Sequence, residues 1–391
     1  MPQALRHFDD AESMIRALKP SYPVYCLRPD ELQATARRFL RSFPGRVLYA
    51  VKCNPHPAVL RALHDAGIRH FDTASLAEIA QIRDLFPDAE CYFMHPVKGR
   101  AAILSAHEVY GVDHYVIDHR SELEKIEAVV GSGDGQVMMV RLVTPQYQAL
   151  YELSKKFGAT PEEAVKLLRA SSKAGFQVGL AFHVGSQIRD PQAYRDAIAL
   201  VGRVVEEAGV DIHYLDVGGG FPAPYLDDEP PPQELFFEAI EEAVRSIPLR
   251  RDCVVMCEPG RALVASGMSL ITQVQLVKEN AVYINDGVYH SLSEAVTGHI
   301  QLPTRCFRLT GGHSAEFRPF TVYGPTCDST DVLPHPMQLP ADIAEGDWIE
   351  FGMVGAYSNA LSTRFNGFHP ETYVTVADAP LLPAYARPAA A

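Results

Sequence analysis

The chain has 391 residues, 47% of them hydrophobic and 21% charged, with a formal net charge of -13. That is ordinary globular composition, with length for one large domain plus a second. The acidic balance argues against nucleic-acid or anionic-membrane partners, and no apolar run approaches the roughly 20 residues needed to span a bilayer.

Met1-Pro2-Gln3-Ala4 is not a basic region leading into an apolar core, so no signal peptide is expected. The seven cysteines are an odd number and form no CxxC pair. They read as reduced thiols of a cytoplasmic protein, with neither a disulfide frame nor a metal site expected. Residues 23–27 form a first strand-like piece. From residue 30 onward, short apolar runs alternate with helix-period segments. Strands are expected at 47–52, 70–73, 91–94, 114–117, 136–142, 178–184, 212–217 and 253–258. Helices are expected at 57–66, 76–85, 99–109, 120–130, 160–173, 191–208 and 233–247. Thr160-Pro161-Glu162-Glu163 is a capping box with proline at the first helical position. Eight strands alternating with helices predict a parallel (β/α)8 TIM-like barrel, with a doubly wound open sheet as the competitor.

From residue 268 strand-like runs follow one another without intervening helices, at 270–277, 282–285, 306–309, 318–322 and 348–351. Turn residues separate them, which predicts a mostly antiparallel β domain. The expected organisation is an α/β barrel over 28-267, a β domain from 1-27 and 268-378, and a disordered Ala/Pro-rich tail over 379-391.

Reacting groups of such a barrel sit at the C-terminal ends of its strands. Lys52 ends the apolar run Val47-Leu48-Tyr49-Ala50-Val51. It reads either as a lysine reaching solvent or as a desolvated amine that forms a Schiff base with a carbonyl. Asp72, Arg141, His183 and Ser186, Gly218-Gly219-Gly220, and Glu258 with Gly260-Arg261 lie at or near the ends of later strands. The glycines read as a flexible loop or as backbone that approaches an anion closely, and Arg261 can fork onto a phosphate. Glu258 reads as the partner of Arg261 or Arg141, or as a carboxylate facing a protonated pyridine nitrogen. His183 reads as a hydrogen-bonded core histidine or as a ring stacked on a flat cofactor. The glycines are not GxGxxG, so a nicotinamide cofactor is not supported. An amine for an aldehyde, one phosphate site and a carboxylate for a ring nitrogen together describe pyridoxal 5'-phosphate (PLP).

Six motifs carry a resemblance. They are Tyr49-Ala50-Val51-Lys52-Cys53-Asn54, Phe71-Asp72-Thr73-Ala74-Ser75, Phe182-His183-Val184-Gly185-Ser186-Gln187, Leu215-Asp216-Val217-Gly218-Gly219-Gly220-Phe221, Glu258-Pro259-Gly260-Arg261 and Gly324-Pro325-Thr326-Cys327-Asp328. In this order they resemble the fold-type III PLP-dependent decarboxylases, the ornithine decarboxylase group above all. The resemblance implies that Lys52 carries the cofactor, Glu258 meets its ring nitrogen and His183 stacks on the ring. It implies that Ser186, Gly218, Gly219, Gly220, Gly260, Arg261 and Tyr357 hold the phosphate, with Asp72 and Arg141 supporting Lys52. Cys327 would return a proton across the interface of a head-to-tail homodimer with shared sites.

Asp328, Cys327, Tyr289 and Gly298 are the expected substrate contacts. The chain departs from the family at Ala295-Val296-Thr297-Gly298-His299. An acidic residue that would bind the distal amine is expected there, and Thr297 or Gly298 stands instead. Either Asp328 and Glu294 receive the amine, or the substrate tail differs. The reading is decarboxylation of a basic amino acid, L-ornithine to putrescine or L-lysine to cadaverine first. The alternatives are a D-amino acid, diaminopimelate or a larger carboxylated polyamine, and, in another class, a non-catalytic protein like the antizyme inhibitors.

Overall fold

The computed structural model describes residues 4–131, 133, 135–145, 156–226 and 228–383. The chain opens with β1 (Arg6–Phe8), α1 (Ala11–Leu18) and β2 (Val24–Leu27). Asp10 Oδ1 accepts the Ser13 N–H at 2.6 Å and starts α1 with a capping box. After α2 (Pro29–Ser42) come β3 (Arg46–Ala50), α3 (Pro57–Asp65), β4 (His70–Thr73), α4 (Leu76–Leu85), β5 (Glu90–Phe93), α5 (Arg100–Glu108), β6 (His114–Ile117) and α6 (Arg120–Val130). The alternation goes on through β7 (Val137–Leu142), α7 (Pro161–Lys173), β8 (Gln177–Phe182), α8 (Gln192–Ala208), β9 (Tyr214–Asp216), α9 (Gln233–Arg245) and β10 (Val254–Cys257). The box at Thr160 is present: Glu163 donates its N–H to Thr160 Oγ1 at 3.3 Å, and Thr160 donates its own to Glu163 Oε2 at 3.0 Å.

Strands β3 to β10 run parallel in chain order, and β10 returns to β3 with Met256 opposite Arg46. The sheet is therefore a closed barrel, and the open doubly wound alternative is excluded. Alternation along the strands builds its two layers. Leu48, Tyr92, Val116, Met139, Ala181 and Met256 fill the barrel, while Val47, Tyr49, Phe71 and Ile117 belong to the larger core that includes the helices. The first barrel strand stops earlier than its apolar run suggested. After Ala50 the chain turns into a short 3₁₀ segment, Val51–Cys53. Ala50 donates its N–H to Pro259 O at 3.1 Å, and Cys53 O accepts from Tyr357 N at 2.8 Å. Lys52 thus leaves the barrel wall on a turn.

α10 (Arg261–Val264) closes the barrel and leads into β11 (Met268–Lys278), β12 (Ala281–Ile284), α11 (Ser293–Thr297), β13 (Thr304–Phe307), β14 (Phe317–Tyr323), β15 (Met337–Pro340), β16 (Trp348–Phe351) and β17 (Thr372–Val376). These strands and the N-terminal pair form a nine-stranded sheet. Antiparallel pairings dominate: β11 with β2, β12 and β16, β13 with β16, and β14 with β15. β17 lies parallel between β1 and β2. Asn54 ties this sheet layer to the barrel mouth, donating to Gly355 O at 2.8 Å and accepting from Asn359 at 2.9 Å. Gly355 fits only as glycine, because a Cβ there would lie 1.7 Å from Val264 O. Within the segment 379–391, expected to fray, Leu381 is buried and packs on Gly352, and residues 384–391 lie outside the described residues. No helix among the described residues is long and apolar enough to cross a membrane.

Candidate active site

Lys52 Nζ lies 2.6 Å from Asp72 Oδ2. Asp72 is 2% exposed at the end of β4, whereas the Lys52 side chain is 47% open to solvent at the barrel mouth. Desolvation disfavours the Lys52 charge, but the carboxylates of Asp72 and Glu258 outweigh it and hold the ammonium above lysine's ordinary range.

Two further carboxyls crowd the same mouth. Glu258 follows β10, and burial, then Asp216 and Asp72, push its pKa well up against the opposing pull of Lys52 and Arg141. Asp216 ends β9 with no exposure. Burial raises it to about 7, although its Oδ1 accepts the Gly218 N–H at 2.7 Å. Burial and the neighbouring acids thus disfavour the Glu258 charge more than Lys52 and Arg141 favour it. Burial lowers the Arg141 pKa against the pull of Glu258, Asp118 and Asp72, so this guanidinium belongs to the same charge cluster.

His183 Nδ1 accepts the Gly185 N–H at 3.0 Å, which leaves the proton of the neutral ring on Nε2. Burial, helped by Arg141 and Lys52, drives its pKa well below the usual value. The imidazole is thus neutral and fixed, as a stacking face requires.

The triple glycine is packed rather than loose. Gly218 has φ +71°, and a Cβ there would lie 2.2 Å from Phe182 O. At Gly219 a Cβ would meet Glu258 O at 2.5 Å, and at Gly220 it would meet Gly185 O at 2.4 Å. The loops after β8, β9 and β10 thus touch backbone to backbone. Gln187 locks two of them together, donating to Ala223 O at 2.8 Å and accepting from Ala223 N at 2.7 Å. Ser186 sits on the same loop, half-buried. Gly260 leaves room for Cys53, whose Cβ would stand 2.9 Å from an added Cβ.

Arg261 pairs with neither Glu258 nor Arg141's cluster. Its guanidinium is bound by Glu294, with Tyr225 Oη 2.9 Å from Nη1 and the Tyr357 ring 5.1 Å away. Its Nε is buried without a partner. Tyr357 has φ +61°, a left-handed backbone unusual for a tyrosine, and this conformation joins the sheet layer to the barrel mouth.

The residues expected to meet substrate form a second group, on the sheet layer. Tyr289 Oη donates to Asp328 Oδ2 at 2.6 Å, and with Thr330 it holds the Asp328 pKa below the ordinary carboxylate value. Cys327 is exposed, its Sγ 3.2 Å from Asn366 Oδ1. Buried Asp331 shapes this loop, accepting from Val288 N, Thr326 N and Thr326 Oγ1 at 2.9, 3.0 and 2.7 Å. Gly298 caps α11 and is buried. Glu294, one of two acids expected to receive a substrate amine, is occupied by Arg261 instead.

Sequence reading missed Asp216 as a charge, and it missed Gln187, Asn366 and Asp331. Asp216 was legible: an aspartate ending an apolar strand immediately before glycines is a buried carboxyl in need of donors. Nothing in the sequence pointed to the others.

The parallel barrel, the amine with its counter-ion at the mouth, the neutral imidazole, the glycine cradle and the unpartnered Nε of Arg261 fit a phosphorylated pyridine aldehyde and define a PLP enzyme of the barrel class. Residues 29–265 match the model of the pyridoxal binding domain of pyridoxal-dependent decarboxylases, and the chain belongs to that family. It is similar to the lysine/ornithine decarboxylase of Selenomonas ruminantium, 32% identical over 96% of this chain and 95% of the relative. Its fold is similar to that of the arginine decarboxylase of Paramecium bursaria Chlorella virus, with TM-score 0.82 and 28% identity over 93% of this chain and 98% of the other. It is also similar to the lysine/ornithine decarboxylase from Vibrio vulnificus complexed with putrescine, with TM-score 0.80 and 31% identity over 94% and 99% of the two chains. The protein is a PLP-dependent decarboxylase of the ornithine decarboxylase-like kind.

Proposed function

We propose that the protein decarboxylates a basic L-amino acid, with ornithine (to putrescine) or lysine (to cadaverine) as first substrate. The observation that carries this reading is the Lys52–Asp72 pair at 2.6 Å inside the field of Glu258 and Arg141. PLP bound at Lys52 supplies an electron sink for the bond to the departing carboxylate. Lys52 would hold the cofactor through Nζ, and Asp72 would hold a proton at that nitrogen. Glu258 would supply the carboxylate that pairs with the ring nitrogen and favours its protonated form. His183 would offer a neutral flat face to the ring. Ser186, Gly218, Gly219, Gly220, Gly260, Arg261 and Tyr357 would hold the phosphate. Cys327 gives its thiol proton to the substrate carbon after carbon dioxide leaves.

The exposed Cys327 thiol and its neighbour Asp328 belong to the sheet layer, which suits delivery into the barrel of a second subunit in a head-to-tail homodimer. The test is to mix purified protein and PLP with ornithine, lysine, arginine or diaminopimelate and follow carbon dioxide and amine. No product from any of them removes the substrate claim.

One observation favours a second reading. Glu294 is held by Arg261, and Gly298 carries no side chain, so neither supplies a counter-charge for a short diamine tail. A D-amino acid, diaminopimelate or a larger carboxylated polyamine then becomes the substrate, and chiral analysis of what is consumed separates these. A non-catalytic binding protein is distinguished by borohydride, which traps no cofactor on Lys52 in that case.

A further inference from the structure

Glu294 has no role in the chemistry above, yet it makes one of the most buried ion pairs of the chain. It lies on α11, and its carboxylate grips the far end of Arg261: Oε2 accepts from Nη1 and Oε1 from Nη2, both at 2.7 Å. The two side chains are 3% and 9% exposed. Tyr225 Oη accepts from Nη1 as well, at 2.9 Å. The rings of Tyr357 and Tyr225 lie 5.1 and 5.8 Å from the guanidinium carbon.

A guanidinium carries five N–H donors in one rigid plane. Three are committed at the Nη end. The Nε–H, on the adjoining edge, is buried and has no partner. Buried donors in folded proteins are normally satisfied, so this one marks a place for an acceptor. With its Nη end tied down, the guanidinium cannot turn about its own axis. Its Nε edge therefore keeps one direction.

We propose that Glu294 is a positioning residue for the cofactor phosphate: it clamps the Nη end of Arg261 so that the Nε edge is presented to a phosphate oxygen. The inference rests on the PLP assignment of this site. The Arg261–Glu294 pair carries no net charge. Phosphate recognition here therefore depends on a directed donor rather than on surplus positive charge. Glu294 accordingly contributes nothing directly to a substrate amine.

The test compares PLP with pyridoxal, which lacks the phosphate. Full-length protein is stripped of cofactor and titrated with each, and borohydride-trapped ligand on Lys52 is counted by mass spectrometry. Wild type is compared with Glu294→Ala and Glu294→Gln. Losing the alignment of one charge-assisted hydrogen bond corresponds to about tenfold in affinity. The apparent Kd for PLP should therefore rise about tenfold in Glu294→Ala, while that for pyridoxal stays within about twofold. Glu294→Gln, which keeps one oxygen acceptor, should fall between, and it carries the test by itself if the alanine variant does not fold. An unchanged ratio of PLP to pyridoxal affinity in the variants overturns the proposal, because a merely structural role weakens both ligands alike. Failure of wild type to trap PLP at all overturns the cofactor assignment, and this proposal with it.

Discussion

Asp216→Asn should stabilise the cofactor-stripped protein near neutral pH and do little in acid. The carboxyl is fully buried at the end of β9, with a pKa raised from 3.8 to about 7, chiefly by burial. A carboxyl whose folded pKa is raised binds its proton more tightly in the folded chain. Its cost to stability is absent below about pH 4, grows as pH rises, and is complete above about pH 7. Three pKa units correspond to on the order of 4 kcal/mol as an upper bound, of which about half should survive relaxation. Asparagine keeps an oxygen for the Gly218 N–H, which Asp216 Oδ1 accepts at 2.7 Å, so the hydrogen bond is retained while the charge goes. It also relieves Glu258, whose pKa Asp216 pushes up. For a chain of this length each kcal/mol shifts the unfolding midpoint by about 2 °C or less, so a gain of about 4 °C is expected at pH 8. The assay is thermal unfolding of stripped wild type and variant at pH 4.5, 6 and 8. A gain that is the same at all three values, or absent at pH 8, refutes the buried-charge reasoning.

Lys52→Ala should leave no borohydride-trapped cofactor and lower turnover by several orders of magnitude, read by mass spectrometry and carbon dioxide release. Gly218→Ala should cost about 2–4 kcal/mol, since its Cβ would meet Phe182 O at 2.2 Å with φ at +71°. Gly312→Ala, with nothing within 4 Å, should stay within about 0.5 kcal/mol, both glycine variants being read by denaturant titration. Mixing inactive Lys52→Ala with inactive Cys327→Ala should restore activity, to about a quarter of wild type if subunits of a two-fold dimer exchange at random. A mixture that stays inactive after exchange rules out shared sites.

The barrel was legible because its signals are local. A strand such as β6 is an apolar run, and α7 announces its start through Thr160 and Glu163. What the sequence concealed depends on contacts far apart along the chain. β1 is three residues long and mostly exposed, and it is a strand because it pairs with β17 across 368 positions, as His7 and Thr375 do. The early end of β3 follows from Pro259 and Tyr357, which take the hydrogen bonds that a longer strand would have used. The residues expected at the mouth could be picked out because Lys52, Asp72, His183, Asp216 and Glu258 all lie at or just after the ends of barrel strands.

Glu294 shows why the tail-binding end was harder to read. In sequence it is a carboxylate just beyond the Asn285-Asp286-Gly287-Val288-Tyr289 segment, where a substrate amine looks a natural partner. In space it meets a guanidinium with two parallel donors, and two hydrogen bonds of 2.7 Å in a buried setting outcompete one ammonium that must be desolvated anew at each turnover. Asp328 has the opposite character. The Tyr289 hydroxyl and Thr330 favour its charged form, and it is half-buried beside the exposed Cys327. A carboxylate anchored on one side and open on the other suits a ligand that arrives and leaves, whereas one closed on both sides suits a permanent frame. By that criterion Asp328 is the acid we propose for the substrate's distal end, and Glu294 the one we propose for the scaffold of the cofactor.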